Sequence, residues 1–386
     1  MRTISFAAVI GLAAALSLAP AASAKPAGEL DAAAIDEYLE QAVDDTGVPG
    51  LTAVVTHDDK IVHATGVGHD SNGEELTADS PMRMASVTKS FTAMAVMTLV
   101  EDGEIELDEP VSAQLPGFEM ADPRADEVTV RQLLNQTSGF SDTTMDVADL
   151  EESTSLADYA SRMKDDALAH DPGTRWEYCN ANFDLAARLV EHAGGRNFNE
   201  YLKARVLRPL GMDDSTVSDA DIKPGNGYNS LYGLWIERSE PAGFMTDSGA
   251  GGLTSTAADM GRWLITQQGE GKQLVGAEGL AEMHAASPVH DYGMGWGVDG
   301  KRLVHSGNLM SYNSVEILDT GTGYGVAVMT NGSGLIDPAY SVGQGLLSLS
   351  EGAKPAPVQS DFWFQLVLAV LALLALGLGV LGVLRA

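Results

Sequence analysis

The sequence combines 386 residues with a large excess of acid, since 54 aspartate and glutamate residues against 23 lysine and arginine residues give a formal net charge of −31 at pH 7. Phosphate backbones repel such a surface, so nucleic acid is not an expected partner. The acidic residues are interpreted as solvent-exposed groups that keep the surface of the protein hydrated. The chain is longer than one hydrophobic core usually organises, which predicts two lobes. The single cysteine excludes an intrachain disulfide.

Residues 1–24 have the pattern of a cleavable secretory signal. An early cation, Arg2, precedes an apolar stretch that ends in the small residues Ala-Ser-Ala. We therefore predict an exported protein whose mature chain begins at Lys25. A short buried helix is the alternative interpretation of this stretch.

The folded part of the chain is predicted to cover residues 25–350 and to have an α+β fold, an α/β sandwich. Apolar residues at helical spacing between Asp31 and Gly47 predict an amphipathic helix, and the β-rich runs in "GLTAVVTHDDKIVHATGVG" predict a hairpin. Further β-rich runs, "RLVHSG", "SVEILD" and "YGVAVMTN", precede a closing helix. These patterns predict an antiparallel sheet built from both ends of the domain, flanked by helices, with a mainly helical lobe inserted at about 77–300.

The C-terminal segment is predicted to leave the domain through a linker at 351–361 and to form a transmembrane helix at 362–384. Residues 362–384 carry no charge and are long enough for a hydrocarbon core. Arg385 follows them and Asp361 precedes them, which places the main domain outside the cytoplasm as a single-pass membrane protein. A removable lipid-anchor signal is the alternative.

A single cation interrupts an apolar helix early in the predicted lobe. Lys89 is the only ionisable residue between Arg83 and Glu101, and it follows Ser86 by one helical turn. The helix dipole and burial both disfavour a charge at this position, so Lys89 is predicted to approach its neutral form. A neutral lysine can accept the proton of a serine nucleophile. The alternative is that Lys89 extends from the helix end into solvent.

Three short motifs occur in a fixed order, namely Ser86-Val87-Thr88-Lys89, Tyr178-Cys179-Asn180 and His305-Ser306-Gly307. Together with longer stretches such as "DPGTRWEYCNANFDLAARLVEHAGG", they resemble the serine β-lactamase and penicillin-binding-protein superfamily. The similarity is to its branch of class C β-lactamases, D-aminopeptidases and serine esterases. It covers residues 34–349 approximately.

The resemblance implies a role for each motif residue. Ser86 would attack an acyl carbonyl, while Lys89 and Tyr178 would share the proton transfer, with the pKa of Tyr178 lowered towards the phenolate by nearby cations. The amides of Ser86 and Asn308 would form an oxyanion hole. The implied catalytic residues are Ser86, Lys89 and Tyr178, and the implied substrate-binding or oxyanion residues are Asn180, His305, Ser306, Gly307 and Asn308.

Several residues depart from the family pattern or invite another interpretation. His305 replaces the lysine of a KTG motif, which removes a positive charge for a substrate carboxylate and makes an efficient β-lactamase less expected. Gln136 stands where many relatives have histidine, and Cys179 is expected to be a small buried residue. Ser248 in "TDSGAGG" is interpreted as a loop residue and not as a nucleophile. No zinc-type spacing occurs among the eight histidines, so neither a metal nor a cofactor is expected.

The sequence thus predicts a membrane-anchored, extracytoplasmic serine hydrolase that forms an acyl-enzyme with a small-molecule or peptide acyl substrate. Two alternatives remain open. One is a D-stereospecific peptidase, carboxypeptidase or β-lactamase acting on cell-wall peptides or β-lactams. The other is a catalytically silent binding or sensor protein of the same fold. The sequence leaves the substrate and the oligomeric state open.

Overall fold

The computed structural model describes residues 31–239, 247–360 and 362–385, with side chains of the last range described for 364–375. The predicted signal at 1–24 lies outside the described residues. The strands are β1 (Gly50–His57), β2 (Lys60–Gly68), β3 (Met82–Arg83), β4 (Gly227–Leu231), β5 (Leu234–Arg238), β6 (Thr254–Ser255), β7 (Gly297–Asp299), β8 (Arg302–Asn308), β9 (Asn313–Asp319), β10 (Tyr324–Thr330) and β11 (Gly332–Ser333).

The α-helices alternate with 3-10 turns through the middle of the chain. They are α1 (Ala32–Thr46), α2 (Thr88–Glu101), α3 (Val111–Gln114), α4 (Val130–Leu134), α5 (Val147–Glu151), α6 (Leu156–Arg162), α7 (Ala181–Gly194), α8 (Phe198–Leu202), α9 (Ala257–Gln267), α10 (Ala277–His284), α11 (Pro338–Ser350) and α12 (Phe362–Arg385).

The main sheet has six strands in the order β2-β1-β10-β9-β8-β7, and each neighbouring pair is antiparallel. The N-terminal hairpin therefore lies directly beside a C-terminal strand, with Leu51 opposite Thr330. This arrangement confirms the predicted α+β fold and the sheet built from both ends of the domain.

Helices cover both faces of the sheet. On one face α1 and α11 bury residues such as Leu39 and Leu346 against the sheet in one core cluster, and on the other face α9 packs on β1 and β10. The predicted ends of α1 are confirmed, because Asp31 caps its first turn and Gly47 ends it with a φ of 66°.

Helix α2 lies at the centre of the helical lobe and packs against α7. Its residues from Thr88 to Leu99 are all buried, as its apolar sequence predicts. The sequence favours a helix from Ser86, but Ser86 lies in a 3-10 turn at Ala85–Val87 and α2 begins two residues later, at Thr88. Ala85 has a φ of 47°, which prevents the regular helix from extending further towards the N-terminus.

A second sheet has three strands in the order β11-β4-β5, and two of them, β4 and β5, lie within the lobe that the sequence predicts to be mainly helical. The hairpin β4–β5 is short and half-exposed, so it lacks the alternation of buried and exposed residues that identifies a strand from sequence. Gln365 at the start of α12 contacts this hairpin, since it accepts a hydrogen bond from the Gly233 amide at 3.0 Å and donates to Ser230 Oγ at 2.8 Å.

The predicted transmembrane helix at 362–384 is not supported. Crossing a bilayer takes about 20 predominantly apolar residues in one helix. Within the part of the chain that the structure describes, no helix has the combination of length and apolar character that a membrane span requires.

Candidate active site

Ser86 lies in the Ala85–Val87 turn, between the buried helix α2 and strand β8. Neighbouring segments hold this turn in place, because the Met84 amide donates to the Leu253 carbonyl at 2.8 Å and Ser314 Oγ donates to the Met84 carbonyl at 2.5 Å. Strand β8 approaches closely through Gly307, where a Cβ would collide with the Met84 carbonyl oxygen. The glycine of the third motif thus allows β8 to pack directly against the turn that carries Ser86.

Lys89 lies in the first turn of α2, with its Nζ close to three oxygen atoms. The distances are 3.0 Å to Ser86 Oγ, 2.9 Å to Asn180 Oδ1 and 2.7 Å to the Ala250 carbonyl oxygen. A neutral amine has two N–H groups and one lone pair, so it can donate to Asn180 and Ala250 while it accepts the Ser86 hydroxyl proton. The geometry therefore suits a lysine that acts as a base towards Ser86.

The environment of Lys89 favours this neutral form. The side chain is fully buried, and desolvation lowers the pKa of Lys89 to about 7, although the negative charges of Asp184 and Asp142 oppose the shift. The burial of Lys89 shows that the alternative in which it extends into solvent is wrong, and the lowered pKa agrees with the predicted approach to the neutral form.

Tyr178 contacts the same serine from a different segment. Its hydroxyl donates to Ser86 Oγ at 2.7 Å, and Lys89 Nζ lies 4.7 Å from the centre of its ring. Although 37 % of the side chain is exposed, desolvation raises the pKa of Tyr178 to about 12, and the negative charges of Asp142 and Asp184 add to this effect. The predicted lowering towards the phenolate was wrong, because carboxylates and the loss of water outweigh a lysine that is itself close to neutral.

Strand β8 presents its outer edge beside the Ser86 turn. Pairing with β7 ends at Val304, and the Leu309 amide donates to the Tyr312 carbonyl at 2.9 Å. Because hydrogen-bonded and non-hydrogen-bonded pairs alternate along an antiparallel ladder, the Asn308 amide points away from β9. Asn308 follows Gly307, which touches the Ser86 turn, so the two predicted oxyanion donors belong to adjoining segments. Ser306 and Asn308 are exposed along this edge.

His305 is buried at the same strand and carries no charge near neutral pH. Burial is the main cause that lowers the pKa of His305 to about 3, and the neighbouring Lys89 lowers it further. Its Nδ1 lies 2.8 Å from the Ser306 carbonyl oxygen and its Nε2 lies 2.9 Å from the Tyr292 hydroxyl. In the neutral ring, Nδ1 donates to the carbonyl and Nε2 accepts from the tyrosine. Both ring nitrogens are thus occupied within the protein.

Gln136 fixes the segment that carries Tyr178. Its backbone carbonyl accepts from the Glu177 amide at 3.0 Å, and its Oε1 accepts from the Cys179 amide at 3.1 Å and from Asn182 Nδ2 at 2.6 Å. The residues on both sides of Tyr178 are therefore bonded to Gln136. Cys179 is buried, as predicted, and desolvation raises the pKa of its thiol far above the usual range, so it is not a reactive thiol.

The sequence did not identify two further residues, Tyr292 and Asp184. Tyr292 lies in the stretch "YGMGWGV", which resembles the same superfamily. This resemblance was the only feature of the sequence that could have indicated a role for Tyr292. Asp184 is a buried acid in the first turn of α7, and it accepts from Ser248 Oγ at 2.8 Å. Ser248 lies in a loop, as predicted, and its hydroxyl is used to hold that loop. In the described part of the chain, no group of three or more metal-ligating side chains is arranged to hold a metal ion.

An α+β domain in which a serine contacts both a buried lysine and a tyrosine has the fold and the site of the serine β-lactamase and penicillin-binding-protein class. The chain belongs to the beta-lactamase family, whose model matches residues 35–344. It is 27 % identical over 311 residues to Protein flp of Staphylococcus aureus, and that match covers 77 % of this chain and 62 % of the relative. It is 36 % identical over 171 residues to penicillin-binding protein 4 of Amycolatopsis lactamdurans, with 44 % of each chain covered. The match thus spans less than two thirds of either of these curated relatives.

Solved structures of known proteins share the fold. An octameric penicillin-binding protein homologue from Pyrococcus abyssi superposes with a TM-score of 0.70 at 25 % identity, covering 84 % of this chain and 78 % of that one. A D-stereospecific amidohydrolase from Streptomyces sp. gives a TM-score of 0.65 at 26 % identity, covering 83 % of this chain and 98 % of that one. The hydrolase EstCE1 gives a TM-score of 0.71 at 18 % identity, which shows a common fold alone, with 84 % and 98 % covered.

Proposed function

We propose that this protein is a serine hydrolase that cleaves ester or amide bonds through an acyl-enzyme on Ser86. The observation that carries the proposal is that the Ser86 hydroxyl is contacted at the same time by Lys89 Nζ at 3.0 Å and by the Tyr178 hydroxyl at 2.7 Å. Membership of the beta-lactamase family and the likeness to a D-stereospecific amidohydrolase support it.

The acylation step follows from the protonation states of the three residues. Neutral Lys89 accepts the Ser86 proton as the serine oxygen attacks the carbonyl carbon, and the amides of Ser86 and Asn308 stabilise the resulting oxyanion. Tyr178, which is protonated because the pKa of its hydroxyl is about 12, donates its proton to the leaving group. The ammonium of Lys89 then returns a proton to Tyr178, so the charge balance is restored.

Deacylation uses the same groups in reverse. A water molecule takes the place of the departed leaving group. As its oxygen attacks the carbonyl carbon of the Ser86 ester, the proton of the water passes through Tyr178 to Lys89. Collapse of the second tetrahedral intermediate releases the acid, and Ser86 recovers its proton. Asn180 accepts from Lys89 through its amide oxygen, so its Nδ2 group is the donor that it offers to the substrate.

The neutral His305 favours substrates whose leaving group has no carboxylate. Both ring nitrogens of His305 are bonded within the protein, and burial holds the pKa of this histidine at about 3. Esters and simple amides are therefore preferred over D-alanyl-D-alanine peptides and β-lactams, whose carboxylates a lysine would bind. The second candidate function is a D-stereospecific amidase, favoured by the Streptomyces amidohydrolase at 26 % identity.

Labelling with a fluorescent phosphonate tests the proposal. The wild-type protein is expected to gain one covalent label on Ser86 and to hydrolyse a chromogenic acetate ester, while Ser86→Ala loses both. Ser161→Ala is the matched control, because Ser161 is an exposed serine on α6. Unchanged labelling of Ser86→Ala would overturn the assignment and would favour a catalytically silent binding protein.

We further propose that the protein is exported, on the basis of the signal-like residues 1–24. The expected result of N-terminal sequencing is a mature chain that begins at Lys25. Recovery of the intact Met1 in the exported fraction would contradict this proposal.

A further inference from the structure

Asp184 is a buried carboxyl group that the proposed mechanism does not use. It lies in the first turn of α7, four residues after Asn180, and only 7 % of its surface is exposed. Its neighbours Phe183 and Leu185 are fully buried apolar residues. Burying a carboxylate is unfavourable unless its oxygens are hydrogen-bonded or a cation is close, so this position calls for an explanation.

One amino acid connects Asp184 to the catalytic lysine. Asp184 Oδ1 accepts from Ser248 Oγ at 2.8 Å and from the Ala250 amide at 3.3 Å. The carbonyl of the same residue, Ala250, accepts from Lys89 Nζ at 2.7 Å. Asp184 therefore holds the N–H side of Ala250, while Lys89 is bonded to its carbonyl side.

The loop between these groups depends on the same hydrogen bonds. Ser248 Oγ, which donates to Asp184, also accepts from the amides of Ala250 and Gly251, both at 3.2 Å. If the carboxyl group moved, the Ala250 carbonyl would lose the support that directs it towards Lys89.

We propose that Asp184 is a positioning residue that acts on Lys89 through Ala250, and that its negative charge sets the pH range in which Lys89 serves as the base. This inference rests on the proposed hydrolase function. It assigns two separable contributions to Asp184: the hydrogen bonds fix the Ala250 carbonyl, and the charge favours the protonated form of Lys89.

Several other titratable groups face this pair from the surrounding elements. They are Tyr159 on α6, Tyr178 and Cys179 before α7, Asp142 after α4 and His305 on β8. Desolvation raises the pKa of Tyr159, Tyr178 and Cys179 and lowers that of His305, so these four are neutral near pH 7. Asp142 is exposed, so water screens its charge. Asp184 is therefore the buried acid with the largest electrostatic influence on the pKa of Lys89.

The sign of the expected effect follows from the charges. Attraction between Lys89 and the ionised form of Asp184 raises the pKa of Lys89, against the larger opposing effect of desolvation. Desolvation also raises the pKa of Asp184, and the hydrogen bond from Ser248 and the charge of Lys89 oppose that rise. Without the carboxylate, the pKa of Lys89 falls, and the lysine stays neutral at lower pH. The acidic limb of kcat/KM, which reports the protonation of the base, then moves to lower pH.

The pH profile of chromogenic ester hydrolysis tests this inference with two matched variants. Asp184→Asn keeps an acceptor oxygen for Ser248 and Ala250 but removes the charge, whereas Ser248→Ala removes the three hydrogen bonds of Ser248 Oγ and leaves the carboxyl group of Asp184 in place. For Asp184→Asn, we expect the midpoint of the acidic limb to fall by about one pH unit, within the range that an opposite charge produces. For Ser248→Ala, we expect the midpoint to stay in place while the plateau of kcat/KM falls.

Two results would overturn the inference: a midpoint that stays in place in Asp184→Asn, or an equal shift in Ser248→Ala. Asp184→Ser, which is smaller and also uncharged, is measured in parallel and is expected to give the same downward shift if the asparagine variant does not fold. Ser86→Ala separates this test from that of the proposed function. Hydrolysis that survives in Ser86→Ala contradicts the proposed function, whereas Ser86-dependent hydrolysis with an unmoved midpoint contradicts only the role of Asp184.

Discussion

The hydroxyl of Tyr292 lies 2.9 Å from Nε2 of the buried His305, at the strand position where a KTG motif would carry a lysine. This contact and the Ser306 carbonyl occupy both ring nitrogens of His305. The consequence is a site without a positive charge at position 305 of β8, and it leads to a prediction about leaving groups.

The wild-type enzyme is expected to prefer a neutral leaving group over a carboxylate. A suitable pair of substrates is an acyl thioester of thioglycolate, whose leaving group carries a carboxylate, and the same thioester with that carboxylate converted to a methyl ester. Both substrates have the same acyl group and the same thioester bond to be cleaved. We expect kcat/KM to be at least about tenfold higher for the methyl ester, since a carboxylate that loses water without a cationic partner costs roughly 1–3 kcal/mol or more. His305→Lys should narrow the ratio, and the uncharged control His305→Gln should not. Equal rates for the wild-type protein on both thioesters would contradict this account of specificity.

The pH dependence of acylation should follow Lys89. Since desolvation lowers the pKa of Lys89 to about 7, the lysine is protonated and inactive as a base below that pH and neutral above it. The expected profile of kcat/KM rises with pH and has its midpoint near 7. Lys89→Arg, which stays protonated, is expected to lose about 10²–10⁴-fold in kcat/KM.

The exposed Lys164 provides the control for this substitution, because Lys164→Arg changes the same chemical group away from Ser86. Circular dichroism verifies that both variants fold. An acidic limb that is absent above pH 5, or an active Lys89→Arg, would show that another group is the base.

Tyr178 should remain a phenol throughout the working range of the enzyme. The pKa of its hydroxyl is raised to about 12, so it enters the reaction as a proton donor. The ultraviolet difference spectrum between the wild-type protein and Tyr178→Phe is expected to show no phenolate signal below about pH 11. The same variant should lose about 10²-fold or more in kcat, because it removes one proton-transfer group. A phenolate that forms near pH 7 would instead support the lowered pKa that the sequence predicted.

Gln136 should affect catalysis through the position of Tyr178. Gln136→Ala removes the acceptor for the Cys179 amide and one of two acceptors for Asn182 Nδ2, which also donates to the Cys179 carbonyl at 3.3 Å. Leaving the buried Cys179 amide without this partner should cost about 1–3 kcal/mol of unfolding free energy. We expect kcat to fall more than KM rises. The control is Gln41→Ala, which changes an exposed glutamine on α1. A loss of stability with unchanged kcat would make Gln136 a purely structural residue.

Regular patterns in the sequence were sufficient to predict α1, the β1–β2 hairpin and the buried helix α2. Each has a strong periodic signal or clear end residues, such as Asp31 and Gly47. The hairpin β4–β5 has neither, and its shape depends on contacts with distant segments such as β11. Local sequence alone could not predict these contacts.

The sequence motifs were sufficient to predict which residues form the candidate site. They were not sufficient to predict the pKa shifts that the folded surroundings impose on those residues. Ser86, Lys89 and Tyr178 are brought into contact, as the order of the motifs suggested. The direction of the pKa shift of Tyr178 depends on burial and on Asp142 and Asp184, which lie on other segments. Their proximity to Tyr178 arises only from the folded arrangement of these segments.

The most direct test of the central claim is the detection of the acyl-enzyme. The protein is mixed with a chromogenic ester, quenched in acid within the first turnovers, and analysed by intact-mass spectrometry and peptide mapping. We predict a mass increase equal to one acyl group, located on Ser86 and missing in Ser86→Ala. Hydrolysis of the ester without an adduct on Ser86 after rapid quenching, or an acyl group on a different residue, would contradict the claim that Ser86 is the nucleophile.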